Sequence, residues 1–538
     1  MTARVGDARP AGLARAMVTM TGLTAVSRAT GFVRIVVVAA VLGTTFLGNV
    51  YQSANTIPNV VFELVVAGLV QAVLIPSLVA RLDRGDQADA EHVAGAVLGL
   101  TTVMLAAVAV VGALAAPWVA RTLFAGPGDA AARGEQARLA TLFLWFFLPQ
   151  VVFYAAGLVA TSILNAHHRF ALPSIAPLAN NVVVIAACAV FWRLRDGAAP
   201  SLDLSSVEIG VLAGGTTLGV VAFCGLPVLA VLRSPFRLRP NLDHRHPEVR
   251  RLARRGAWAA VFLAASQVLL VTVLVLGNRV EGGVVAYQVG FQFFLLPYAL
   301  FALPVLTGLF PSLARRHAMG DEVGFSEAME RGVRTVAYLV AGGAALLGAL
   351  GGLISQTVLF GETTPAGAAQ VAGALAGFSP GLVGYALFLF ASRVSYARHD
   401  TRTPAVVNLG VVAVGSLVMA VGFAVAPDRH RVAALAVGHS AAYLGGAAVL
   451  LHRVARPVTS ARRPHLAVAV GRPALAAGVV AGALVAATTM IQTDNRAAGL
   501  TLLAVLAAAG AVGYAALTWA LGGPRPGEFA AAARGGSR

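Results

Sequence analysis

Ile75-Pro-Ser-Leu-Val-Ala-Arg81 closes one long apolar run, and Phe310-Pro-Ser-Leu-Ala-Arg-Arg316 closes another 235 residues later. A second pair follows the first. Asn165-Ala-His-His-Arg-Phe-Ala-Leu-Pro173 is echoed by Tyr396-Ala-Arg-His-Asp-Thr-Arg-Thr-Pro404, at an offset of 231. Short motifs coincide by chance in Ala-rich sequence, but two pairs at nearly one offset argue for a duplicated unit. Six apolar runs make up each copy. Six is an even number, so both copies enter the membrane from the same side, related by an axis along the membrane normal. That is a transporter architecture, with its substrate site expected between the halves.

Composition supports the membrane reading. The 538 residues are 58% hydrophobic and 12% charged, with a mean hydropathy of +0.78. Soluble domains carry about 25% charged residues. These values exclude a disordered chain, a disulfide-stapled domain and an ordinary cytosolic enzyme. The two cysteines, Cys188 and Cys224, lie in apolar runs and form no metal or disulfide pattern. Residues 1–15 are polar and basic, and the apolar run after them is too long for the core of a cleavable signal.

Fourteen runs have spanning length, the first two at 17–43 and 49–80. Each is expected to be helical, because backbone groups in lipid must satisfy one another. Pro58, Pro149, Pro297 and Pro304 fall inside long runs and should kink or tilt them. The fold class expected is an all-α polytopic membrane protein. It has about fourteen transmembrane helices, arranged as two pseudo-repeated six-helix lobes plus two C-terminal helices. The division is a tail at 1–16, an N-lobe at 17–232, a basic linker at 233–256, a C-lobe at 257–452, two further helices within 453–521, and a tail at 522–538.

All forty basic residues are arginine. With the N-terminus inside, 28 fall on cytoplasmic segments, 9 on outer loops and 3 within apolar runs. The positive-inside rule therefore places both termini in the cytoplasm of a multi-pass plasma-membrane protein. Arginine concentrates most from Arg233 through Arg255, which suits either a topology anchor or a site for anionic phospholipid headgroups. Nearby Asp243, His244 and His246 lack the spacing of a metal site and are expected to be solvated loop residues. The net charge of +17 is thus read as topology, not as nucleic-acid binding.

Three arginines lie inside spans: Arg28, Arg34 and Arg393. Such a residue costs about 2.5–3.5 kcal/mol at mid-membrane, so it normally faces a cavity or a partner. Arg28 and Arg34 are six residues apart, about 120° around a helix. Glu63 is the acidic residue well inside an early span and the candidate ion-pair partner for either. Arg393 lies one turn inside its span, where snorkelling to the interface is an equal reading. Intramembrane amides at Asn49, Gln52, Asn55, Asn59, Gln71, Gln267, Gln288 and Gln292 can hydrogen-bond a sugar in a cavity or neighbouring backbone in a packed bundle. No phosphate-binding glycine loop, nucleophile elbow or zinc-protease motif appears, so no cofactor and no enzymatic activity of those classes is expected.

Ser27-Arg-Ala-Thr-Gly-Phe-Val-Arg34, Ile57-Pro-Asn59, Ile75-Pro-Ser-Leu78, Leu164-Asn165 with Arg169-Phe170, Pro173 and Ala176-Pro177, and Arg393 with Tyr396-Ala397 and Asp400-Thr-Arg-Thr-Pro404 occur in order. In these the chain resembles the MurJ/MviN family of lipid II flippases, which belongs to the multidrug/oligosaccharidyl-lipid/polysaccharide exporter superfamily. The resemblance implies two six-helix lobes around a cationic cavity, a groove for the lipid tail formed by the last two helices, and a polyprenyl-diphosphate-linked peptidoglycan precursor as substrate. It carries the family's cavity arginine pair onto Arg28 and Arg34. Elsewhere the chain departs from the family. Asn49 stands where an acidic residue is usual, Phe62 and Glu63 where basic residues are usual, Val66-Ala67-Gly68 in place of Ala-Glu-Gly, and Gln292 in place of an arginine. The cationic cavity is thinned to Arg28 and Arg34.

The expectation is a flippase working by alternating access, with substrate bound by Arg28, Arg34, Asn49, Asn59, Gln292 and Arg393. Cell-wall synthesis machinery is a candidate partner. A flippase for another lipid-linked glycan, a non-transporting envelope scaffold and a drug/cation antiporter of the same superfamily are the competing readings.

Overall fold

The computed structural model describes residues 10–67, 74–125, 129–456, 466–491 and 495–522; the side chains of residues 10–22, 24–25, 66–67 and 248–256 are outside the description. The described residues form helices joined by turns and loops, without strands. Twelve of their helices are long and apolar enough to cross a membrane, from Gln87–Leu123 to Arg496–Ala520. The first two expected spans correspond to helix Pro10–Leu42 and to helices Phe46–Phe62 and Leu74–Leu82. In the first, the side chains of residues 17–22 and 24–25 are outside the description, and in the second, residues 68–73 are, so twelve spans are counted among the described residues.

Local chemistry sets the helix ends. Asp321 caps Glu322–Val358 by accepting from the Gly324 N–H at 2.8 Å, and Thr364 caps Pro365–Ala397 by accepting from the Gly367 N–H at 3.0 Å. Proline acts where expected. Pro149 separates Ala130–Phe147 from Gln150–Ala166. Pro297 precedes a π-helical turn at Tyr298–Ala302 that ends just before Pro304. Pro58 stays within Phe46–Phe62, and a π-helical turn begins at Glu63.

The sequence repeat recurs in backbone geometry. Gly85 N donates to Leu82 O and Asp86 N to Arg81 O; 235 residues on, Gly320 N donates to His317 O and Asp321 N to Arg316 O. Gly85 and Gly320 both take positive φ, at 76° and 70°. The second motif repeats as well. His168 and His399 have φ of 58° and 61°, and Arg169 N→Leu164 O is matched by Asp400 N→Ser395 O. Each is a Schellman helix end, in which a left-handed residue lets the following N–H groups reach back to the last carbonyls, and the paired motifs place it at matching positions.

The chain divides into two compact units. In the first (1–41, 50–122 and 128–263), Leu74, Leu78, Val93, Val97, Val151, Val159 and Ile163 form a buried core that also takes in Phe236. Phe236 begins a strap across the end of Gln87–Leu123. Arg237 N donates to Glu91 Oε1, Asn241 N to Gly95 O, and Asn241 Nδ2 to His92 O. Gly95 and Gly99 permit this approach, because a Cβ at either would overlap the carbonyl of Arg239 or Asn241. Asp243 and His246 are not simply solvated: His92 Nε2 lies 3.0 Å from Asp243 Oδ2, and His246 Nε2 lies 3.2 Å from Asp89 Oδ1.

In the second unit (42–49, 123–127 and 264–538), Pro365–Ala397 packs on Arg431–Ala455 along Gly377, Gly381 and Gly384. The last two helices pack on Glu322–Val358, where the Tyr514 hydroxyl donates to Tyr338 O at 2.6 Å.

Candidate functional site

Five helices of the first unit enclose a cavity of about 200 Å³. Pro10–Leu42 contributes Arg34, Ile35 and Val38, and Phe46–Phe62 contributes Tyr51, Gln52, Asn55 and Asn59. Positions 52, 55 and 59 follow helical spacing, so their amides form one stripe. Tyr154 enters from Gln150–Ala166, Asn180 and Val184 from Ala171–Leu194, and Thr216, Val220 and Phe223 from Gly215–Leu232.

Arg34 is the sole charged side chain in this lining. Its helix is fixed one to two turns away, where Asn181 Nδ2 donates to Ser27 O at 3.3 Å and to Thr30 Oγ1 at 3.1 Å. The opposite wall is stiffened by Tyr51, whose hydroxyl lies 2.7 Å from Thr216 Oγ1 and whose ring meets Phe143 and Phe147 edge-on at 6.0 Å. Asn180 Oδ1 is buried and has no hydrogen-bond partner among the described residues. The cavity therefore presents a guanidinium, several amides and hydroxyls, and an unused acceptor, with no carboxylate. That set suits a phosphate-bearing, hydroxyl-rich ligand.

Arg34 and Asn59 are the expected site residues that meet here. Arg28 is exposed and outside the lining. Asn49 does not reach the cavity: its amide is fully buried, donating to Val280 O at 2.8 Å and accepting from Val284 N at 3.0 Å. Packed backbone has claimed it. Gln292 and Arg393 are half-buried in the second unit, with Arg393 over the Phe310 ring at 5.9 Å. The ion pair expected for Glu63 is not formed among the described residues. Depth explains this. Arg34 is eight residues before the end of its helix and Glu63 seventeen after the start of the next. At 1.5 Å per residue their levels differ by about 13 Å.

The model of the family "Lipid II flippase MurJ" matches residues 38–506, most of the chain. The chain belongs to the MurJ family. It is 28% identical over 409 residues to the lipid II flippase MurJ of Burkholderia cenocepacia, a match covering 75% of this chain and 77% of that one. It is also 28% identical over 418 residues to the probable lipid II flippase MurJ of Vibrio cholerae, covering 75% and 76%. Among solved structures, a lipid II flippase MurJ in an inward closed conformation superposes with TM-score 0.73 at 16% identity, covering 93% of this chain and 99% of that one. An inward-facing multidrug-resistance MATE family transporter of the MOP superfamily gives TM-score 0.66 at 12% identity, covering 82% of this chain and 98% of that one. These likenesses establish the fold.

For this MurJ family member, sequence reasoning missed Tyr51, Tyr154, Asn180 and Thr216. The one available signal was the amide pair Asn180-Asn181 in an otherwise apolar span. Which amide faces a cavity and which a neighbouring helix is set by helix rotation: Asn181 anchors Pro10–Leu42, and Asn180 lines the cavity.

Proposed function

We propose that this MurJ family member moves a polyprenyl-diphosphate-linked glycan, lipid II, from the inner to the outer leaflet of the plasma membrane by alternating access. The observation that carries this reading is Arg34 as the lone charge in an amide- and hydroxyl-lined cavity. A guanidinium holds phosphate oxygens bidentately, while amides and phenols suit sugar hydroxyls. The names of the curated relatives point to the same substrate. A cavity with no carboxylate argues against cation exchange.

The proposal takes the duplicated units as two lobes, with residues 453–521 outside the repeat and both termini cytoplasmic, as the arginine bias supports. The activity is transport, not catalysis. Arg233, Arg237, Arg239 and Arg245 are exposed on the strap and available to anionic headgroups. Arg250, Arg251, Arg254 and Arg255, the rest of that run, have side chains outside the described residues. Cell-wall synthesis machinery remains a proposed partner on functional grounds. Membrane potential supplies a driving force: about 2.3 kcal/mol per charge per 100 mV, or roughly 4–5 kcal/mol for a headgroup carrying two negative charges out of a negative interior.

The test is headgroup flipping by the full chain in proteoliposomes. Lipid II should flip, and a glycan on polyprenyl monophosphate should flip about tenfold more slowly, having lost some of the charge that Arg34 binds. Equal rates for the two would remove the diphosphate from the account, and no flipping of either would remove the function.

A further inference from the structure

A second cavity, of about 770 Å³, lies within the second unit. Its origin is in the packing of Pro365–Ala397 on Arg431–Ala455. Gly377, Gly381 and Gly384 let the two backbones touch, and a Cβ at Gly384 would stand 2.6 Å from Leu444 N. One turn on, Leu387 stands in place of a glycine and lines the cavity. The opening is walled on its third side by the first turn of Leu466–Met490, at Leu466, Ala467 and Val470. Ala447 and Ala448 contribute little side-chain bulk, so the space stays open.

The groove has a polarity. Its inner end at Leu444 is apolar, and its mouth carries His452 and Arg456 with no acidic residue in the lining. Arg456 Nε donates to His452 Nε2 at 3.2 Å, which fixes the guanidinium and leaves its other N–H groups directed elsewhere. Leu444 and Arg456 are twelve residues apart, about 18 Å along a helix. That is close to the roughly 15 Å half-thickness of a bilayer's hydrocarbon core. The volume holds about 25 water-sized groups, enough for one fatty acyl chain and short of a long polyprenyl chain.

We infer that this groove binds an anionic phospholipid, one acyl chain lying along Leu387, Leu444, Ala448 and Leu451 and the phosphate meeting Arg456 and His452. In the topology argued above, the lipid comes from the cytoplasmic leaflet. The site is separate from the Arg34 cavity, and its occupancy is read without any transport measurement.

The experiment uses the full chain in detergent, titrated with phosphatidylglycerol, phosphatidylcholine or undecaprenyl phosphate and followed by native mass spectrometry. Phosphatidylglycerol should bind saturably and about fivefold more tightly than phosphatidylcholine, and Arg456→Gln should erase that preference. Ala448→Phe should weaken both by filling the groove. Phosphatidylglycerol with a photoreactive acyl chain should label the segments around 444–456 and 466–470 in the unaltered chain, a readout that stands even if Ala448→Phe fails to fold. Equal binding of the two phospholipids, labelling confined to other helices, or displacement of phosphatidylglycerol by undecaprenyl phosphate would each overturn the assignment.

Discussion

Asn49 accepts a hydrogen bond from the Val284 N–H, 235 residues along the chain, and donates to Val280 O from the same side chain. One amide thus satisfies two backbone groups at the start of helix Gly283–Pro297. Val280 O also accepts from the Gly283 N–H, so replacing Asn49 with leucine leaves the buried Val284 N–H unpaired, at a cost of about 1–3 kcal/mol. Asn49→Leu should lower the unfolding temperature by several degrees, and Asn49→Asp should recover some of the loss through its acceptor. Unaltered thermal stability with abolished transport would instead return Asn49 to the substrate.

Gly219 packs directly against Asn180 of the cavity lining, and a Cβ there would stand 2.5 Å from Asn180 Oδ1. Gly219→Ala must push Asn180 into the cavity or force its helix away from the neighbouring one. Overpacking of this kind costs about 1–3 kcal/mol. Flipping should fall more steeply than stability, and the second substitution Asn180→Ala should recover transport by clearing the clash. A double variant no better than Gly219→Ala alone would mean that helix separation, not cavity filling, is the damage.

The strap should respond to acid at a definable pH. Burial alone would raise the Asp89 carboxyl, but Arg81 and His246 outweigh it and hold it below the usual range. Asp243 is held low by its hydrogen bond from His92, with help from the Arg245 and His246 N–H groups. A depressed folded value gives stability that is present above the unfolded carboxylate value of about 3.9 and lost as pH falls through the folded one. Protection of the amides at 237–246, relative to the unfolded exchange rate at each pH, should therefore hold from neutral pH to about 4 and fall below it. In Asp243→Asn, which removes this linkage, protection should be lower at neutral pH and flatter in acid. A strap that opens between pH 7 and 5 would contradict this account.

Much of the fold is legible in the sequence, because lipid leaves the backbone few options and residues such as Pro149, Gly85, Gly320 and the capping Asp321 mark helix boundaries. Gly85-Asp86 and Gly320-Asp321 stand at matching places in the repeat, and their turns match in the structure. The site is less legible. Arg34 stands out because a charge in an apolar run demands a reason. Asn180 does not, since an amide in an Ala- and Val-rich span gives no sign of which way it points. Asn49 and Asn59 look alike in sequence, and only the backbone of residues 280–284 separates the clamp from the cavity lining.

Topology is open to a direct check. Leu242 is exposed on the strap, and arginines at 233, 237, 239 and 245 oppose translocation of that segment. Leu242→Cys in a chain stripped of Cys188 and Cys224 should react with a membrane-impermeant maleimide only after the cytoplasmic face is opened. Reaction in intact cells would invert every assigned span.

Flipping of lipid II by Arg34 variants in proteoliposomes tests the central claim most directly. Arg34→Ala should reduce the rate by about 10–100-fold, the worth of a charge-assisted hydrogen bond of roughly 1.5–3 kcal/mol, with no loss of folding. Arg34→Lys should recover only a fraction, since an ammonium keeps the charge and loses the bidentate fork. Arg34→Ala/Glu63→Ala should remain as slow as Arg34→Ala, because the two side chains form no pair whose joint removal could restore a balanced interior. Normal flipping by that double variant would make Arg34 a structural residue and contradict its role as the diphosphate's partner.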